Sequence, residues 1–128
     1  MKLQSYKDLI VWQKSMELVE EIYKLTRSFP KSEVYGLVSQ MRRAAITIPS
    51  NIAEGYRRKH IKEYIQFLYV ANGSASELET QIDIARKLEE TKDLNYLKCE
   101  NLINEVLKML TVLISKLETK RYPLHPNP

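Results

Sequence analysis

The sequence predicts an all-α protein, an antiparallel up-down-up-down four-helix bundle, from three observations. Apolar residues recur at alternating steps of three and four in four separate stretches, the spacing that lines one face of a helix. The breaks between stretches are short, and short connections favour antiparallel neighbours. Nowhere do apolar and polar residues alternate in the manner of a half-buried strand, and no internal repeat points to a solenoid.

In the first stretch Leu9, Trp12, Met16, Val19, Tyr23 and Thr26 form the predicted seam. Ser5, with Asp8 three residues later, supplies an N-cap and an acid for the first turn. Phe29 and Pro30 then set an expected end near Ser28.

Ser32 is the expected cap of the second helix, whose seam is Val34, Val38, Met41, Ala45, Ile48 and Ile52. That register does not slip at Pro49. A proline inside a helix removes one backbone hydrogen bond and costs about 3 kcal/mol. The unbroken phase nevertheless predicts a kinked but continuous helix to about Gly55, with a new helix starting at Pro49 as the alternative.

The third helix is the clearest, carrying Ile61, Tyr64, Leu68, Ala71, Ala75, Leu78, Ile82 and Ala85 at steps of three and four, with its end expected near Glu90. Residues 71–76 are small, and their low volume predicts close approach of a neighbouring helix in spite of Gly73.

After the polar turn Thr91-Lys92-Asp93, the fourth helix carries two adjacent apolar stripes. One is Cys99, Leu102, Val106, Met109 and Leu113; the other is Ile103, Leu107, Leu110, Ile114 and Leu117. A corner helix of a monomeric bundle needs one such stripe, so the second is assigned to an oligomer interface with another copy of the chain. Deeper burial within a single bundle is the alternative. Residues 1–120 are thus expected to form the bundle, and residues 121–128 a flexible proline-rich tail.

Length and composition limit the function classes. A chain of 128 residues is a single domain by length. At that size it buries roughly 68% of its unfolded surface, enough for a core without staples. Cys99 is the one cysteine, which excludes an internal disulfide and favours a reducing compartment. Residues 1–8 lack the apolar core of a secretion signal, and no run of 18 apolar residues exists. The expectation is a soluble, cytoplasmic protein with no membrane partner.

Signals of catalysis or metal binding are weak throughout. A di-iron bundle needs Glu-x-x-His on two helices, because octahedral ions require several converging carboxylates and imidazoles. This chain has two histidines, and His60 with Glu63 has the reverse spacing, which reads as a surface pair. Cys99 lies on an apolar stripe with no histidine near it in sequence, so it reads as core. The acids Glu77, Glu79 and Asp83 on the third helix read as a solvated face or as partners of the second helix's arginines. No glycine-rich phosphate loop is present. The expectation is therefore a protein that is not an enzyme and takes no metal or cofactor.

The positive feature is electrostatic. Residues 42–62 carry Arg42, Arg43, Arg57, Arg58, Lys59 and Lys62 against Glu54 alone, a net +5 within a chain whose total is +4. With the second helix's seam at heptad positions a and d, Arg43, Ser50 and Arg57 fall on the outward f line, and Asn51 and Arg58 on the adjoining g line. Arg43 and Arg57 are then about 21 Å apart along a straight helix, a span of several nucleotides. Basic residues also crowd the start of the third helix, where the macrodipole already favours an anion. Tyr56 and Tyr64 flank that cluster as candidate stacking partners for bases. These six cations are the predicted nucleic-acid-binding residues, reading phosphates more than sequence. An ordinary solvated surface, neutralised by neighbouring acids, is the alternative.

Three blocks also carry a family resemblance. They are Tyr6-Lys7-Asp8-Leu9-Ile10-Val11-Trp12-Gln13-Lys14, Ser39-Gln40-Met41-Arg42-Arg43-Ala44-Ala45 with Ile48-Pro49-Ser50-Asn51-Ile52-Ala53-Glu54-Gly55, and Gly73-Ser74-Ala75 with Glu77-Leu78-Glu79-Thr80-Gln81. Together the chain resembles the four-helix bundle proteins encoded within intervening sequences of bacterial 23S ribosomal RNA genes. To that family the accessory variability determinant of diversity-generating retroelements is also related. The resemblance implies a ring-like homopentamer without catalysis. In the retroelement branch it also implies a basic surface that binds nucleic acid and a reverse transcriptase. A competing function is thus an oligomeric scaffold or adaptor whose basic segment recognises an acidic protein such as a reverse transcriptase.

Overall fold

The computed structural model describes residues 3–121 of the chain. Four helices build it: α1 (Ile10–Thr26), α2 (Ser39–Tyr56), α3 (Ile61–Lys87) and α4 (Leu97–Arg121). Each packs on the next, and α4 closes back on α1, with no strand among the described residues. The direction of each pair is antiparallel. Lys14 and Lys98 reach Glu105 and Glu21 across α1 and α4, at 3.4 and 3.3 Å. Tyr69 donates to Glu118 near one end of α3 and α4, and Arg86 meets Glu100 near the other.

The start of the chain departs from expectation. Ser5 caps a single 3-10 turn, Tyr6–Asp8, in which its Oγ accepts from the Lys7 N–H while Asp8 accepts from the backbone of Gln4 and Ser5. Leu9 is extended, and α1 begins only after it. The buried line of α1 is Val11, Ser15, Leu18, Ile22 and Thr26, which shares Thr26 with the predicted seam and otherwise lies one position before it. Ser15 is sealed inside because its hydroxyl donates to the Trp12 carbonyl at 2.7 Å, and a satisfied polar group is cheap to bury. The larger residues of the predicted seam border the core instead. Trp12 lies edge-on to Tyr6, Tyr23 lies under Arg42, and Met16 is exposed.

The entry to the second helix is also irregular. A 3-10 turn, Lys31–Glu33, leads into a wide π-type turn, Val34–Val38, interrupted by the non-helical Gly36. Ser32 is not the cap; the Glu33 carboxylate accepts from the Leu37 N–H. Val34 is consequently exposed, and the core line starts at Leu37 and Val38. From there α2 runs through Pro49 without a break to Tyr56, with Met41, Ala45, Ile48 and Ile52 fully buried. Around the proline, Thr47, Ser50 and Asn51 each donate back to the carbonyl four residues earlier.

In α3 every predicted seam residue is buried or packed against the core. The helix ends at Lys87, three residues early, because Leu88 turns extended. The following turn is less polar than its composition suggests. Thr91 is buried, its hydroxyl donates to the Ala85 carbonyl at 2.6 Å, and the buried Tyr96 hydroxyl donates to the Thr91 carbonyl at 2.7 Å.

Most of the apolar surface of α4 is absorbed by its own chain, while Met109 and Leu113 of the first stripe stay half-buried at the surface. Ile103, Leu110 and Ile114 are buried in the core beside Cys99, Leu102 and Val106, while Leu107 and Leu117 are half-buried against it. Their burial corrects the assignment of Ile103, Leu110 and Ile114 to an oligomer interface; Leu107 and Leu117 keep part of their surface exposed. A helix in a four-cornered bundle touches two neighbours, here α1 and α3, so two stripes are needed within one copy. Arg121, expected to open the tail, is instead the last residue of α4; the rest of the expected tail, residues 122–128, lies outside the described residues.

Candidate nucleic-acid interface

The corner between α2 and α3 is built on a glycine. A Cβ at Gly55 would lie 2.8 Å from Phe67 Cβ and 3.0 Å from Tyr64 Cδ1, so only hydrogen fits between the helices there. This contact holds the two helix ends together and leaves residues 57–60 to turn the corner outside the core. Arg57 closes α2, and His60, extended, precedes α3 with no side-chain cap for the N–H groups of its first turn. Glu63 supplies the one acid of that turn.

Four of the six predicted cations gather at this corner. Arg57 is exposed and lies over the Tyr6 ring, 5.1 Å from its centroid. Arg58 lies over Phe67 at 4.8 Å and pairs with Glu54 at 3.6 Å, the only one of the six with a carboxylate partner among the described residues. Lys59 and Lys62 are exposed and meet no carboxylate among the described residues. Stacking on aromatic faces fixes the guanidinium planes of Arg57 and Arg58 while leaving their outer edges to solvent.

The remaining two cations belong elsewhere. Arg43 is exposed but one long reach away, about 21 Å up α2 by helical rise. Arg42 turns inward. Its guanidinium stacks on Tyr23 at 4.3 Å, its Nε donates to Thr26 Oγ1 at 2.9 Å, and one Nη donates to the Tyr23 carbonyl. Arg42 therefore ties the start of α2 to the end of α1, which corrects its place among the surface cations. Ser50 and Asn51, between Arg43 and Arg57, are folded back on their own helix.

Tyr64 packs edge-on to Tyr56 at 6.1 Å between ring centres. Burial, with Tyr56 beside it, pushes its phenol up to about 12, as expected of a packing residue and not of a stacking platform. The acids of α3 do not reach the arginines: Glu77, Glu79 and Asp83 form no ion pair among the described residues. Cys99 is buried, and burial together with Glu21 and Glu100 holds its thiol up at about 11, neutral at ordinary pH.

Sequence reading missed the cations that the fold brings to the same end. Lys7 is exposed beside Tyr6, the ring under Arg57. Lys120 and Arg121 close α4, whose antiparallel course ends where α3 begins. The signal available in the sequence was the topology itself, since the second and fourth helices of an up-down-up-down bundle finish at one end.

No curated protein matches the chain. Its residues 7–112 match the profile described as 23S rRNA-intervening sequence protein. A match over that share of the chain, on a bundle of four helices, shows that the chain belongs to the 23S rRNA-intervening sequence protein family.

Proposed function

We propose that this protein is a non-enzymatic, self-associating bundle that holds RNA or DNA by its phosphates at the corner between α2 and α3. One observation carries this: Arg57, Lys59 and Lys62 project into solvent around an uncapped helix N-terminus and meet no carboxylate among the described residues. Like charges concentrated around the positive end of a dipole destabilise a fold unless an anion joins them. Phosphate oxygens suit the site, accepting from guanidinium, ammonium and backbone N–H groups together. Such contacts position a backbone and read sequence weakly.

The test is fluorescence anisotropy of the full chain with a labelled RNA hairpin and a DNA duplex across a salt series. Wild-type affinity should fall steeply as salt rises. The combined variant Arg57→Glu, Arg58→Glu, Lys59→Glu should bind at least tenfold more weakly and lower the slope of log K against log salt by about 2 to 3. Its helical circular dichroism and its oligomeric state should not change. Unaltered RNA retention would remove this corner from the proposal. A wild-type chain that binds neither nucleic acid would turn the reading to an acidic protein partner.

A further inference from the structure

An apolar groove opens onto the cationic corner. It lies between α2 and α1 with the turn that precedes α1, holds about 330 Å³, and has Tyr6, Trp12, Met16 and Ile46 in its wall. Met16 and Ile46, 38% and 44% exposed, form an apolar rim. A second cavity of about 220 Å³ adjoins it, bounded by Tyr6, Ser50, Ala53, Glu54 and Arg57. Tyr6, Ser50 and Ala53 belong to both. The depression therefore runs from an apolar end beside α1 to a charged end at Arg57.

The two ends call for different chemistry in one occupant. Tyr6 and Trp12 meet edge-on, with ring centres 5.3 Å apart and planes at 70°. Rings set nearly at right angles form a corner into which a third flat ring fits, stacked on one and edge-on to the other. At the far end the Arg57 guanidinium, fixed over Tyr6, meets no carboxylate among the described residues and suits a phosphate. Between them lie acceptors. The Ser50 hydroxyl donates its proton to the Ile46 carbonyl, which leaves its oxygen lone pairs free. The Glu54 carboxylate, paired with Arg58 through Oε1, lies beside it. An apolar peptide side chain would leave these oxygens without a donor, whereas the amino edge of a base supplies one.

Resting on the phosphate reading above, we infer that this groove takes one unpaired base of the bound nucleic acid. The base stacks in the corner of Tyr6 and Trp12, its amino edge faces Ser50 and Glu54, and its phosphate lies on Arg57. The preferred partner is then a strand with an unpaired nucleotide. In a continuous duplex the bases are stacked on one another and cannot enter without being extruded. The acceptors favour cytosine, adenine or guanine, which carry exocyclic amines, over uracil or thymine, which present carbonyls.

Trp12 is the one tryptophan of the chain, so its emission reports the groove directly. The full chain is titrated with a short continuous duplex, made in RNA and in DNA, and with the same duplex carrying one bulged cytosine or one bulged uracil or thymine. Anisotropy of the labelled strand gives affinity, and tryptophan emission gives occupancy of the groove. All forms should share one salt slope, since their phosphate contacts are the same. The bulged-cytosine form should bind about tenfold more tightly than the continuous duplex, the effect of one stacked base. It should also bind more tightly than the bulged uracil or thymine, and only bulged forms should quench Trp12. Ala53→Leu fills the groove and Ile46→Gln makes its rim polar, both without change of charge. Either should remove the advantage of the bulge and the quenching, with duplex affinity and helical circular dichroism as in wild type. If Ala53→Leu disturbs the fold, the exposed Ile46 position decides. Equal affinity for bulged and continuous duplexes with unchanged Trp12 emission would overturn the base groove and leave the phosphate reading standing. Equal response to cytosine and uracil would overturn the part given to Ser50 and Glu54. Quenching by a peptide of Glu and Phe, with none by the bulged strands, would overturn the inference in favour of an acidic protein partner. If none of the strands bound, the phosphate reading would fall and the base groove with it.

Discussion

Arg42 and Arg43 are adjacent and chemically identical, yet the fold gives them unrelated work. One step of 100° around α2 separates a guanidinium locked onto Tyr23 and Thr26 from one in open solvent. Composition and charge counting treat the two alike. Arg42→Ala should lower stability to urea by about 1–3 kcal/mol, since it removes charge-assisted hydrogen bonds and a cation–π contact. RNA affinity should change far less than in the corner variant. A stable Arg42→Ala protein with lost RNA binding would return Arg42 to the surface group. Ser15 and Thr91 teach a similar lesson, because both hide in the core by donating to a nearby carbonyl. No apolar pattern marks such residues as buried.

The glycines of α2 and α3 play opposite parts as elements pack. At Gly55 a methyl group would collide with Phe67 Cβ, which is fixed to its helix and cannot rotate away. At Gly73 a methyl group would enter open space. Gly55→Ala should therefore destabilise the bundle by about 1–3 kcal/mol through overpacking. Gly73→Ala should stabilise the isolated fold by about 1 kcal/mol through helix propensity. Urea unfolding of both variants at a concentration where the chain is monomeric checks the opposite signs. Pro49 is the complementary case: a helix breaker by local rule, held in α2 because Ile48 and Ile52 on either side are fully buried. Tertiary burial of that stripe outweighs the cost of one missing backbone bond.

For the whole molecule, ionisation within the core sets an alkaline limit. The Cys99 thiol rises from an ordinary 9.0 to about 11, and the Tyr64 phenol from 10.0 to about 12, both chiefly through burial. These groups are neutral when protonated, so above pH 9 the unfolded chain loses protons that the folded chain keeps. The unfolded state is then favoured, and stability falls as pH rises, first through Cys99 and then through Tyr64. Melting temperature should be insensitive to these two groups below about pH 8 and should decline from about pH 9 upward. Cys99→Ala should flatten the part of that decline between about pH 9 and 11, whatever its effect on the plateau. An unchanged alkaline slope would show that Cys99 is not protected from ionisation.

The sequence by itself determined the four helices, the continuity of α2 through Pro49, the seam of α3 and the basic segment around the second turn. Those properties depend on period and local charge, which are written in neighbouring residues. Only the tertiary structure decided which stripe of α1 faces inward and that most of both stripes of α4 is buried within one chain. It also decided that Arg42 is a packing residue, and that Lys7 and the last turn of α4 share an end with Arg57, Lys59 and Lys62. Each of these depends on which helices are neighbours and in which direction they run. That is a matter of distance through space, and spacing along the chain does not encode it.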